Sequence, residues 1–497
     1  MVTVTRKVLN SAILSASAKV ISKVLGLVST MLLARILAPE EFGYIAIVSI
    51  ALYFFDILSH AASEQYVIQK KTITRVELHT AWSANLVLKL LISLVICVSA
   101  PWVALFFDRP ELTNAFRISS LILPIQALKS PIYLLLKRQL NFTPLFWSSL
   151  IERAFAVPLV IALAFVLQSF WAFLITDIVA SLLAVFISYS IARKPPTFTL
   201  SRVNEQWNFS KWMLGKSVVG YMRSQSDTVV VSKFFSGGAL GNYHMARELA
   251  MMPAHFLLGP AIEPLLSAFK NDKESIHELH NNVAFSLVSV IVIAIPLCFF
   301  VWQWAAEVVL LLLGSDWEMA AELLPILILL FLYWTVMQVG ETALLAQGKV
   351  KLLFQIDCLT LIVVVVGLLI IASKTNDLLA LAWARAGFGI LFCIVVLCLA
   401  FKGNQRQLLQ ILFYCIAMTL VSSIWLLSVK LMVEILDLAD MKFILSIVIM
   451  LFSLVMLIFA TVSVVFIGAK GFKNYHARRI EMIVGSSLGN FFKINRR

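Results

Sequence analysis

Residues 211–246 read KWMLGKSVVGYMRSQSDTVVVSKFFSGGALGNYHMA, and this stretch decides how the chain is read. Its first part is a helix-length apolar segment that nevertheless carries Lys216, Arg223, Asp227 and Lys233. Charges inside a segment that lies in lipid are costly, so they normally face a water-filled cavity or a partner. Arg223 and Asp227 are four residues apart, which stacks them on one helix face where they can pair. The segment breaks at Gly237-Gly238 and resumes after Gly241.

The start of the chain has the same layout. Lys19, Lys23 and Arg35 interrupt an apolar helix that ends at Ala38-Pro39 and resumes after Gly43. Arg35 to Gly43 and Lys233 to Gly241 have the same spacing, and the two copies are offset by 198 residues. That is a weak internal duplication: two halves, each opening with a polar helix, the usual architecture of a transporter.

Composition places the whole chain in a membrane. It has 497 residues, is 61% hydrophobic and 13% charged, and has a mean hydropathy of +0.94. Charged residues make up about a quarter of a globular chain, so this one lacks the polar material to cover a soluble surface. The six cysteines all fall in apolar runs and none forms a CxxC, so they read as small core hydrophobes rather than a disulfide or metal framework.

Stretches of about 20 apolar residues can each cross a bilayer. They run 8–36, 42–67, 79–107, 112–136, 144–167, 170–192, 211–236, 243–269, 282–313, 319–346, 352–373, 377–401, 408–429 and 443–467. The fold class is therefore all-α integral membrane with about fourteen transmembrane helices. The longest basic connection, 193–210, separates a half of six spans from a half of eight.

Alternate connections carry the positive charge: Arg6/Lys7, Lys70/Lys71/Arg75, Lys137/Arg138, Arg193/Lys194/Arg202/Lys211, Lys270/Lys273, Lys349/Lys351, Lys402/Arg406 and the tail. The opposite connections hold only Arg109, Lys374, Lys430 and Lys442, beside acids such as Glu40, Glu41, Asp316 and Glu318. The positive-inside rule makes the basic side cytoplasmic, with both termini inside. The net charge of +13 is then mostly topology, not a nucleic-acid surface. Arg6-Lys7 followed by Ala16-Ser17-Ala18 has the outline of a signal peptide, but the apolar run continues past Ala18, so the reading is an uncleaved first span. The basic tail, 470–497, is expected to lie on the inner leaflet.

The chain has no GxxxxGK[ST] phosphate loop and no HExxH, and no loop large enough for a soluble catalytic domain. The expectation is a protein that is not an enzyme and that needs no cofactor or metal. What remains is intramembrane charge. Lys89, Lys129, Arg35, Lys233 and Glu307 read as groups that snorkel to an interface or cap a helix. Glu152-Arg153 reads as a local pair.

Arg223, Lys19, Lys23 and Lys216 read as the lining of a cationic cavity suited to an anionic substrate such as a diphosphate, since the guanidinium fork matches phosphate oxygens. Asp227, Asp357, Glu64, Glu263 and Glu341 are the candidates for coupling to a proton or sodium ion.

The passages LLARILAPEEFGYIAI at 32–47, DTVVVSKFFSGGALGNYHMARELAMMP at 227–253 and PAIEPLLSAFKND at 260–272 resemble the diagnostic stretches of the polysaccharide transporter family. That family belongs to the multidrug/oligosaccharidyl-lipid/polysaccharide (MOP) exporter superfamily. Arg223, Asp227 and Gly241-Asn242-Tyr243 sit where the family has its Arg…Asp…Gly-x-Tyr signature. Pro39-Glu40-Glu41-Phe42-Gly43 resembles the branch that exports bacterial exopolysaccharides. Glu263 departs from the pattern, since many relatives carry an apolar residue there.

The resemblance implies two pseudo-symmetric six-helix bundles, 1–192 and 211–401, joined by the linker 193–210. Two appended helices, 402–469, and the tail 470–497 complete a MOP/MATE-like fold. It implies a flippase in the bacterial inner membrane. The cargo would be an undecaprenyl-diphosphate-linked oligosaccharide, moved by alternating access with a proton or sodium gradient. Expected partners are that cargo, membrane lipids, a polysaccharide polymerase and a chain-length regulator, with no nucleic acid. The competing reading is a MATE-like drug or cation antiporter, which calls for an acid-rich cavity with few cations. A third, an envelope scaffold or scramblase-like protein, needs fewer buried charges.

Overall fold

With no water in the bilayer core, a spanning backbone must satisfy its own hydrogen bonds, and a helix does so within one segment. The computed structural model describes residues 21–60, 67, 70, 72–139, 141–192, 195–262, 264–271, 276–435 and 452–462. The ordered elements among them are helical. The first half contains α1 (Ile21–Ala34), α2 (Pro39–His60) and α3 (Arg75–Phe106), then the short α4 (Thr113–Ser120), α5 (Ile122–Ala127) and α6 (Ile132–Arg138), followed by α7 (Thr143–Leu167) and α8 (Trp171–Ala192).

The second half opens with α9 (Val203–Phe234) and α10 (Gly237–Pro253). A π-turn over Ala254–Leu258 follows, with α11 (Gly259–Ile262) and α12 (Leu265–Asn271). Then come α13 (Ile276–Gln303), α14 (Ala305–Leu312), α15 (Glu318–Ala346), α16 (Val350–Thr375), α17 (Leu378–Ala400), α18 (Gln405–Ile435) and α19 (Phe452–Val462).

By length and apolar composition, eight described helices can cross a membrane: α3, α7, α8, α13, α15, α16, α17 and most of α18. A ninth span is made if Pro110–Ala127 and Ile132–Arg138 count together across their 61° bend. The protein is a multi-pass membrane protein. A described helix also falls in each remaining predicted stretch, and α9 is instructive there. It is 32 residues long, enough for roughly 48 Å at 1.5 Å per residue, but its charges keep it out of the apolar set.

Local sequence explains several departures from the predicted segments. Helix α9 begins at Val203, inside the expected linker 193–210, with Arg202 and Glu205 paired at 2.5 Å across its first turn. The predicted span 112–136 is broken at Ser130-Pro131, because Pro131 has no N–H to give. Ser188 Oγ accepts the Ser130 N–H at 3.0 Å instead. The predicted span 243–269 starts earlier, at Gly237, and changes to a π-turn directly after Pro253.

The chain divides into two compact units that are discontinuous in sequence. The first contains Met1–Met245, Val309–Ala320 and Asp357–Leu381; the second contains Ala246–Val308, Ala321–Ile356 and Ala382–Arg497. The second contains close apolar packing. Tyr333 of α15 fills the space left by Gly389 of α17, where a Cβ would stand 2.1 Å from the ring. Lys19, Glu64, Glu263 and the tail 470–497 lie outside the described residues.

Candidate functional site

The polar helix α9 lies wholly in the first unit and organises the site. Arg223 Nη1 meets Asp357 Oδ1 of α16 at 2.7 Å, with side chains 21% and 9% exposed. An ion pair so little hydrated is held by hydrogen-bond geometry and strongly penalises loss of one partner. The four-residue spacing to Asp227 pointed to a partner within the helix. An ion pair also runs across helices, to a residue 134 positions further along.

Asp227 is fully buried and accepts from the Tyr243 hydroxyl at 3.0 Å and from the Thr228 N–H at 2.9 Å. Tyr243, itself buried on α10, thereby ties the second polar helix to the one after it. Asn242 accepts the Ala320 N–H at 3.0 Å and donates to Gly238 O at 2.9 Å, so it satisfies an orphan donor in the first turn of α15. The three residues of Gly241-Asn242-Tyr243 thus have separate tasks: close approach, helix capping and anchoring Asp227.

The close approach is reciprocal. A Cβ on Gly241 would lie 1.7 Å from Pro39 O, and a Cβ on Gly43 would lie 2.2 Å from Gly237 O. Gly43 and Gly241 are echo partners 198 residues apart, as are Pro39 and Gly237. Each glycine therefore touches the echo partner of the other's neighbour, the exchange a two-fold operation produces.

The cations ending the two polar helices extend this pattern. Arg35 Nη2 donates to Leu311 O at 2.7 Å in the last turn of α14. Lys233 Nζ donates to Asp108 at 2.6 Å, just after α3, and sits 5.6 Å over the Phe106 ring. Trp317 Nε1 donates to Ala34 O at 2.9 Å, and its ring meets Phe42 edge-on at 5.2 Å. Glu41 accepts from Phe170 N at 2.6 Å and Ser169 Oγ at 3.1 Å, at the start of α8. The charge pattern had put the turns near 38, 108, 236 and 315 on one side of the membrane, and here they meet.

Four residues were expected to line a cationic cavity. Arg223 is in place with Asp357. Lys216 lies on α9 and Lys23 on α1, where Lys23 is exposed; the Lys216 side chain lies outside the described set. Arg35 does cap a helix, as its sequence position implied, and Lys233 makes an ion pair at a helix end. Lys89 corrects its reading: it does not snorkel, being 1% exposed and 2.9 Å from Asp56 of α2. Sequence reasoning also passed over Tyr243 as a ligand of Asp227. The signal available was its place in the Gly241-Asn242-Tyr243 triplet.

A profile of polysaccharide biosynthesis proteins matches residues 32–322. The chain is 28% identical over 304 residues to the succinoglycan biosynthesis transport protein ExoT of Rhizobium meliloti, covering 61% of this chain and 62% of that one, so less than two thirds of the relative is spanned. Among solved structures, the lipid II flippase MurJ in an inward closed conformation superposes with a TM-score of 0.71 at 17% identity, over 93% of this chain and 100% of MurJ. An inward-facing MATE family multidrug resistance transporter of the MOP superfamily superposes at 0.61 with 13% identity, over 80% and 98%. The fold is that of MurJ and the MATE transporters.

Proposed function

Given that this chain belongs to the polysaccharide biosynthesis protein family of the MOP superfamily, we propose that it is a flippase moving undecaprenyl-diphosphate-linked oligosaccharides across the bacterial inner membrane. The observation that carries this reading is the Arg223–Asp357 pair. A diphosphate offers Arg223 a bidentate partner with more charge than a carboxylate. The substrate would take the guanidinium from Asp357, and Asp357, left with a bare charge in a poorly hydrated place, would take up a proton or sodium ion.

This exchange keeps Arg223 from standing unpaired inside the bilayer when the site is empty. It also rejects neutral lipids, which cannot displace the carboxylate. Lys19, Lys23 and Lys216 would add to the positive lining, and Asp227, Glu64 and Glu263 are further candidates for coupling. The cargo's sugars would cross in this polar lining, since hydrocarbon cannot hydrate them. Orientation follows the basic loops, with both termini cytoplasmic. A polymerase and a chain-length regulator would act on the delivered repeat unit.

The test is the leaflet distribution of lipid-linked sugar in cells depleted of the protein, read with a membrane-impermeant probe. Repeat units should accumulate facing the cytoplasm while surface polysaccharide is lost. Normal polymer accompanied by raised sensitivity to cationic drugs would reject the flippase and favour an antiporter on the same fold.

A further inference from the structure

Helix α3 and the break between α5 and α6 enclose a cavity of about 260 Å³ in the first unit, away from Arg223. Trp82 and Asn85 of α3, Gln126 of α5, Lys129 beside the break, and Tyr133 and Lys137 of α6 contribute its polar wall. Among the described residues no carboxylate lines it. The cavity lies at the end of these helices nearest the basic connections, one turn or more inside Arg75 and beside Lys137-Arg138.

Among the described residues, two donors in this wall lack an acceptor. The Trp82 indole N–H is buried without a hydrogen-bond partner. Among the described residues no acid lies within ion-pair distance of the Lys129 ammonium. Asp56 of α2 is paired with Lys89 at 2.9 Å. A buried donor and a half-buried cation left bare in one cavity are each costly, and one anion rich in acceptor oxygens would satisfy both.

The break itself is built rather than frayed. Ser130 N donates to Ser188 Oγ at 3.0 Å, Ile132 N donates to Ser130 Oγ at 3.3 Å, and Pro131 needs no acceptor. Irregular backbone at membrane depth is tolerated where it is buried in protein or lines a polar cavity. The volume is below the roughly 300–1,000 Å³ of sites for drug-sized ligands, which suits a headgroup and excludes a sugar repeat unit. Basic pockets between transmembrane helices at the cytoplasmic face are where anionic headgroups bind.

We propose that this cavity binds the phosphate of an anionic membrane lipid, with Lys129 as its counter-charge and the Trp82 indole N–H as a hydrogen-bond donor. The site is separate from the transport reading and stands whether or not that reading holds. It fixes a lipid against the kink of the fourth span, where α6 leaves the line of α5.

The experiment is native mass spectrometry of the full chain taken from bilayers of phosphatidylcholine with added phosphatidylglycerol. Wild type should retain phosphatidylglycerol in preference to phosphatidylcholine. Lys129→Gln should weaken that retention roughly tenfold, the scale of one charge-assisted hydrogen bond, and Lys129→Arg should keep it. Trp82→Phe, which removes only the donor, should weaken it a few-fold. Equal retention by wild type and Lys129→Gln would overturn the site. Displacement of the bound lipid by inorganic pyrophosphate would overturn the lipid as its occupant and assign the cavity to a free anion.

Discussion

The two units of this chain join their helices with different emphasis. In the first, helices are joined across charge: Arg223 to Asp357, Lys89 to Asp56 and Lys233 to Asp108. In the second, α13, α15, α17 and α18 surround a cavity of about 530 Å³ lined by Ile, Leu, Trp302 and Tyr333, with Cys298, Cys393 and Cys415 in its wall. Lipid tails are as apolar as leucine, so helices in a bilayer gain little by hiding apolar surface from it. The second unit relies on close fit, as where Tyr333 sits on Gly389, and on contacts such as His280 and Gln347 to Ala400 O and Arg385 over the Tyr333 ring. The first adds specific ion pairs, which fix which helix meets which.

The largest way to break the first unit is steric. Gly241→Ala would place a methyl group 1.7 Å from Pro39 O, with backbone on both sides and no flexible side chain to yield. The cost should reach or exceed the roughly 1–3 kcal/mol of overpacking, read as a fall in thermal-shift midpoint and in folded yield. Gly238→Ala, where a Cβ meets nothing within 4 Å, should leave both unchanged. Equal effects from the two substitutions would refute the reciprocal contact.

Next comes charge. Arg223→Ala should abolish export and leave Asp357 without its partner, destabilising the protein by about 3 kcal/mol, the lower end for a broken buried pair. Combining it with Asp357→Ala should recover part of the stability and none of the export. A double variant no more stable than Arg223→Ala would show that the pair carries little of the fold. The smallest effect is Tyr243→Phe, which removes one hydroxyl from Asp227 and should cost about 1 kcal/mol. It should change the dependence of export on the ion gradient only if Asp227 takes part in coupling.

Much of the first unit's logic was legible in the sequence, and the reason is local. A charge in an apolar run is visible without a structure, so α9 stood out at once. The 198-residue echo identified Gly43 and Gly241 before their contact was seen, because tight turns constrain residue type strongly. The partners were not legible. Arg223 has an acid four residues away and pairs with one 134 residues away, since a buried cation takes the carboxylate that packing delivers. Lys89 has the long stem of a snorkelling residue but sits where Asp56 meets it on the inside of α3.

By itself the sequence determined the solvent, the helical class and the polar helices. Those follow from hydropathy and charge summed along short stretches. Tertiary structure alone decided that four turns on one side converge, that Tyr243 holds Asp227, and that Ser130-Pro131 opens a cavity with two unsatisfied donors. These depend on distances between residues far apart in the chain. No local free energy encodes such distances until the helices pack.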